Sequence, residues 1–301
     1  MHTPAFRRAL LLVALTGAVA CEQDTPPNPP ADRGAPVAVA AEPSGPLQLA
    51  AGAFAFANAS GTRLLAMDSI PNPMAMHATM CPGAPARAVV ADGYQVGKSG
   101  DTGRQTAANF ATQSGARFRT LGNADAAPLA VDVSCYVTAD SALVAGLLLL
   151  ELPPPAAGNA TAICDAAWSA RVEALRGRTV VECWPKGVGS GEGHPVIFAV
   201  RFVARDSNAL ASLVAIDGEH VWFHDFPAID HGGGQSVWRL DDGGRFPAAA
   251  MRIRFLSRVR GVLVLAMTWD GTEGENAYLL AADSSSAFRT LQHSYRYTAP
   301  Q

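Results

Sequence analysis

Hydrophobic and polar residues alternate in short runs along most of the chain, which is the two-residue period of strands with one buried face. Ala53–Ala57 and Thr62–Met67 flank Asn58-Ala-Ser-Gly61 and predict a hairpin. Ala88–Val96, Pro128–Val137 and Leu143–Leu152 predict further strands. Past residue 195, runs begin near Val196, Leu210, His220, Val237, Met251, Val262, Ala277 and Phe288. Turn chemistry falls between them at Asp217-Gly218, Asp242-Gly-Gly244 and Asp270-Gly271. A strand every 8–12 residues or about that predicts an antiparallel meander, closed as a sandwich, a barrel or a curved sheet. Val262–Trp269 is apolar at both parities, which predicts a central strand.

One segment breaks the period. Residues 162–176 predict a helix, with Asn159 or Thr161 as its cap and Asp165 in the first turn. Ile163, Ala167, Val172 and Leu175 form its apolar stripe, and Gly177 ends it. The fold class is therefore mainly β with one helix, a β-rich α+β chain. Pro153–Asn159 is the best internal boundary and separates regions 50–155 and 160–301, as one domain or two. No internal repeat is evident.

The N-terminus follows a different plan. Arg7 and Arg8 precede a 12-residue apolar run, Ala9–Ala20, that ends in small residues before Cys21. That is the layout of an export signal over residues 1–20. As a helix the run spans about 18 Å, short of a hydrocarbon core of about 30 Å. Ala18-Val-Ala20 also satisfies the small-x-small rule for ordinary secretion. Ala18-Val-Ala-Cys21 resembles the lipobox of bacterial lipoproteins, with Ala18 where that family prefers leucine. The resemblance covers 21 residues and implies an acylated Cys21, a membrane-anchored chain and no particular activity. Glu22 implies sorting to the outer membrane, facing the periplasm, because retention in the inner membrane goes with Asp there. Residues 21–49, rich in Pro and Ala, read as a disordered tether.

Cysteine counting bears on the same choice. Of five cysteines, acylation of Cys21 leaves Cys81, Cys135, Cys164 and Cys183, an even set suited to two disulfides in an oxidising compartment. A helix from Cys164 to Leu175 climbs about 17 Å, and an extended return from Arg178 to Cys183 covers about the same. This geometry selects Cys164–Cys183 and leaves Cys81–Cys135.

Charge changes the picture little. Removing Arg7 and Arg8 from 23 basic residues leaves 21 against 26 acidic ones, a net of −5, which argues against nucleic acid as a partner. Arginine outnumbers lysine 21 to 2. Asp92-Gly-Tyr-Gln-Val-Gly-Lys-Ser99 misses a phosphate loop because a carboxylate stands where glycine is needed, and it reads as a polar loop. No serine sits in a nucleophile elbow, and Gly187–Gly193 with His194 reads as a flexible loop.

The densest set of metal-ligand types is His220-Val-Trp-Phe-His224-Asp225 followed by Asp230-His231. On a strand, His220 and His224 share a face about 13 Å apart, too far for one ion. His224, Asp230 and His231 remain the weak metal candidates, against ordinary polar positions at a sheet end. Asp270, Glu273 and Glu275 form an acidic turn without a calcium-loop spacing. Met251–Arg260 alternates, so Met251, Ile253 and Phe255 should face the core. Arg252, Arg254, Arg258 and Arg260 then form a row that either meets Asp241 and Asp242 or contacts an anionic partner.

These features predict an envelope lipoprotein with a non-enzymatic binding or structural role and no cofactor. Its partners are the membrane, through the anchor, and an envelope protein or anionic envelope polymer. The alternative is a secreted periplasmic hydrolase whose active-site residues converge from distant loops.

Overall fold

The computed structural model describes residues 46–122, 127–151, 164–190, 193, 195–230, 236–238, 246–271 and 273–298. The fold is mostly β, and every strand pairing is antiparallel.

The chain first closes a small barrel from β1 (Gly52–Ala57), β2 (Arg63–Ala66), β3 (Ala78–Met80), β4 (Arg87–Gln95), β5 (Gly115–Thr120) and β6 (Ser134–Thr138). The order is β1-β2-β5-β4-β3-β6, and β6 returns to β1 with Phe56 opposite Ser134 and Gly52 opposite Thr138. Closure removes free edges. The predicted hairpin forms β1 and β2. Asn58 holds its turn by accepting from the Thr62 and Arg63 amides at 2.9 and 3.0 Å. Gly61 is left-handed, at φ 63°, and a Cβ there would meet the Leu129 carbonyl at 2.5 Å.

Alternation sorts the barrel residues. Ala53, Ala55, Ala57, Ala66, Ala116, Leu64, Phe118 and Val137 face the interior. Phe54, Met80 and Tyr136 point outward into a second core. The Cys81–Cys135 disulfide joins the end of β3 to β6. Strands β3 and β5 are additions to the predicted set. The run expected from Pro128 is a strand only over Ser134–Thr138.

The expected strand Leu143–Leu152 is replaced by three elements. Helix α1 (Ser141–Ala145) starts where Asp140 accepts from the Leu143 amide, and it stops at Gly146. Strand β7 (Leu147–Leu148) and strand β8 (Leu150–Glu151) follow. A short apolar run fits a helix or a strand equally well, and the Asp140 cap decides for helix.

The remaining strands are β9 (Val180–Gly189), β10 (Val196–Phe202), β11 (Asn208–Asp217), β12 (His220–Asp230), β13 (Ser236–Val237), β14 (Met251–Val259), β15 (Val262–Asp270), β16 (Gly274–Ala282) and β17 (Phe288–Tyr297). They split between two sheets, β13-β12-β11-β10-β9-β8 and β17-β16-β15-β14-β7. Strands β7 and β8 are one residue apart yet join different sheets. As expected from its apolar faces, β15 lies in the middle of its sheet.

The two sheets pack face to face over Leu213, Phe226, Met251, Leu265, Trp269 and Phe288. The outer face of the β14–β17 sheet packs on the barrel through Phe255, Val264 and Leu279 against Phe54 and Tyr136. The outer face of the other sheet carries α2 (Ala166–Arg176) over Phe198, Val200 and Phe223. Thus helix, sheet, sheet and barrel stack in that order within one compact unit, Gly45–Gln301.

Gly177 ends α2 as expected, at φ 59°. The start differs: Asp165 is itself the cap, accepting from the Ala167 amide at 2.7 Å. Asn159, Thr161, Ile163 and the Pro153–Asn159 boundary lie outside the described residues. The apolar stripe also differs. Val172 is buried, but Leu175 is exposed, and the contact to the sheet runs through Trp168, stacked on Phe198 at 6.0 Å. The Cys164–Cys183 bridge is formed between the residue before the cap and β9.

Candidate functional site

The barrel carries a groove on its outer wall. Between β4 and β5 the chain does not turn tightly but runs as a strap over residues 96–114. Phe110 docks the strap on Phe56 and Leu65, with the two Phe rings edge to face at 5.7 Å. Gln95 locks it by donating to the Phe110 and Gln113 carbonyls, at 2.5 and 2.7 Å. Long ordered connections of this kind commonly carry function.

Between the strap and the β1–β2 turn lies a groove of about 460 Å³. Arg63, Arg117 and Lys98 line it, together with Ala107, Phe110 and Ala111. Arg63 and Arg117 share one carboxylate, Asp92, with their Nε atoms 3.3 and 3.0 Å from its Oδ2. Arg117 also donates to the Asp92 carbonyl at 2.7 Å. The Lys98 ammonium has no partner among the described residues. The near-miss phosphate loop thus places Asp92–Gln95 in β4 and Lys98 on the strap, with no helix behind it.

A second charged cluster sits at one end of the β14–β17 sheet. Arg252 pairs with Asp270 at 3.1 Å, Arg254 with Glu275 at 2.6 Å, and Arg296 with the same Glu275 oxygen at 3.6 Å. Arg296 also donates to the Asp132 carbonyl. Burial and the Glu275 charge push the Asp270 carboxyl up, against the pull of Arg252. Lys186 bulges from β9 between Pro185 and Gly187 and donates to the Ala248 and Met251 carbonyls. Burial, with Arg252 nearby, lowers its ammonium to about 8.

This cluster corrects the expected arginine row. Register shifts at Arg254, so Ile253 faces Met267 while Phe255 faces Ala266. The bulge resets the alternation. Met251 and Ile253 enter the core between the sheets, whereas Phe255 joins the core against the barrel. The four arginines do not form one row. Arg258 pairs with Asp217 at 2.7 Å, and Arg260 is exposed in the following turn at φ 50°. The acidic partners come from Asp217, Asp270 and Glu275, while Asp241 and Asp242 lie outside the described residues.

Of the histidines of β12, His224 serves packing and His220 is exposed. His220 stacks on Trp222 at 5.4 Å, and His224 contacts Phe226 and Tyr278 at 5.0 and 5.5 Å. Burial pushes the His224 imidazole down. Trp222 donates to the Asp283 carbonyl and meets Phe288, so this aromatic face is covered by the opposite sheet. His224 and Asp230 are six residues apart on one strand, about 20 Å at strand rise. His231 lies outside the described residues, and no group of three ligand-type residues capable of holding a metal occurs among the described ones. Cys21 also lies outside them. Comparison with family models, curated proteins and solved structures finds no match.

The groove was missed in the sequence because its cations come from three segments. Only Lys98, one of two lysines in an arginine-rich chain, stands out locally.

Proposed function

We propose that this chain is a lipid-anchored envelope protein whose role is binding rather than catalysis. The observation that carries the reading is the cysteine inventory. Four of the five cysteines are bridged, as Cys81–Cys135 and Cys164–Cys183, which leaves Cys21 over in the count. Bridged cysteines suit an oxidising compartment, and Cys21 follows the apolar run where a lipoprotein carries its acyl groups. Cys21 anchors the chain, residues 22–45 act as the tether, which ends short of the expected residue 49 because Leu47 and Leu49 pack on the core between sheet and barrel, and the barrel and sheets work outside the cytoplasm. Three acyl chains on one terminus hold a protein stably at a membrane.

The test is palmitate labelling with membrane fractionation. Wild type should be labelled and membrane-bound, and Cys21→Ser should be unlabelled and soluble. A soluble, unlabelled wild type would overturn the anchor. The hydrolase alternative is favoured by one contact, Ser141 Oγ at 3.3 Å from His77 Nε2, both on exposed residues. Covalent labelling of Ser141 by a fluorophosphonate would select that alternative over binding.

A further inference from the structure

We infer that the groove on the barrel wall binds a phosphate monoester, a reading that deepens the binding role proposed above and rests on it. Three cations face the groove from three directions: Arg63 from β2, Arg117 from β5 and Lys98 from the strap. One carboxylate, Asp92, answers two of them, which leaves an excess of two positive charges. Asp101, three residues from Lys98 on the strap, keeps its charge and takes one unit from that excess. It is turned into the strap, where it accepts from the Gly103 amide and from Gln113. Arg119 restores the excess of two. It stands directly opposite Arg63 across β2 and β5, a like-charge pairing that ordinarily costs stability.

The fold holds these charges together at a cost, and the chemistry of the missing counter-charge follows from the count. A phosphate monoester carries between about −1.5 and −2 at pH 7 and offers three acceptor oxygens. A carboxylate would neutralise half of the excess. Guanidinium edges suit phosphate oxygens bidentately. Arg117 spends Nε and Nη2 on the Asp92 carbonyl, which leaves Nη1 for a ligand. Asp92 then acts as a positioning residue that holds both guanidinium groups over the groove. The groove's volume of about 460 Å³ falls in the range of small-molecule sites, roughly 300–1,000 Å³. The phosphate can arrive on a soluble sugar or on a lipid headgroup.

The test is titration calorimetry on the full mature chain at low salt. The soluble probes are glucose 6-phosphate, glucuronate and glucose. Phosphatidic acid vesicles probe the full-length Cys21→Ser chain. Glucose 6-phosphate should bind at least tenfold more tightly than glucuronate, and glucose should not bind. Affinity should fall as salt rises. Lys98→Gln, an exposed strap position, should weaken binding about tenfold, and Arg63→Gln with Arg117→Gln should abolish it. Arg252→Gln, a cation already paired with Asp270, should leave it unchanged.

Vesicle binding with none of the soluble ester would assign the phosphate to a headgroup. Binding of both would assign it to the phosphate alone. Absence of binding in both arms overturns the inference, as does equal binding of glucuronate or retained affinity in the Lys98 and double arginine variants. The anchor reading is judged separately, by Cys21 labelling.

Discussion

Two regions of this molecule handle arginine in opposite ways. In the β14–β17 sheet, Arg254 and Arg296 have side chains only 7% and 5% exposed, and both close on Glu275, itself 5% exposed. On the barrel wall, Arg63 and Arg117 are 50% and 31% exposed and share Asp92 with solvent at hand. Desolvation separates the two cases. A buried guanidinium without a carboxylate costs several kcal/mol, so both sheet arginines must close on a buried carboxylate. A half-exposed one costs little, so the barrel wall can keep an excess of charge for something else. The same residue type is structural in one place and available for binding in the other. Sequence spacing does not distinguish them.

The sharpest way to break this comparison is to remove the two carboxylates. Glu275→Ala strands Arg254 and Arg296 and should cost about 3–5 kcal/mol in urea unfolding. Asp92→Ala should cost under about 1 kcal/mol, because its partners are partly solvated. Equal costs would show that burial is not what separates the two clusters.

The regions also differ in how their cores hold. Five of the thirteen buried residues of the barrel interior are alanines, closed by a disulfide, whereas the space between the sheets is filled mainly by Phe, Trp, Met, Ile and Leu. Alanine buries little area per residue, so the barrel should depend more on its cross-link. Cys81 and Cys135 are 54 residues apart, against 19 for Cys164 and Cys183. Chain entropy then predicts losses of about 4 and 3 kcal/mol on replacing each pair with Ser. A larger loss from the second pair would reverse the argument.

The smallest effect concerns pH and sharpens the contrast between free and held cations. Burial lowers the Lys186 ammonium to about 8 in the folded chain, against an ordinary value of 10.5. Between those values the unfolded chain binds more protons, so stability should rise with pH through that window, by about 2 kcal/mol. Lys186→Met should remove the rise. Persistence of the rise in the Lys186→Met chain would contradict the assignment.

Much of the fold was legible because strand alternation is local. All eight strands expected beyond residue 195 are present, from β10 to β17, and the central place of β15 follows from its apolar faces. The Cys164–Cys183 pairing was also legible, since helix rise and strand rise are fixed lengths. What local pattern could not supply was partnership. Leu147–Leu148 and Leu150–Glu151 belong to different sheets, and nothing within that run marks the crossing. The bulge at Arg254 reverses which core Phe255 enters, and it is visible only against β15. Arg254 meets Glu275 because β14, β15 and β16 lie side by side, and Arg63 meets Asp92 because the barrel closes. By itself, the sequence determined most of the strands and the cysteine parity, all properties of neighbouring residues or simple counts. Only the tertiary structure decided which charges are neutralised, because a Coulomb interaction depends on distance in space and on the water around the pair.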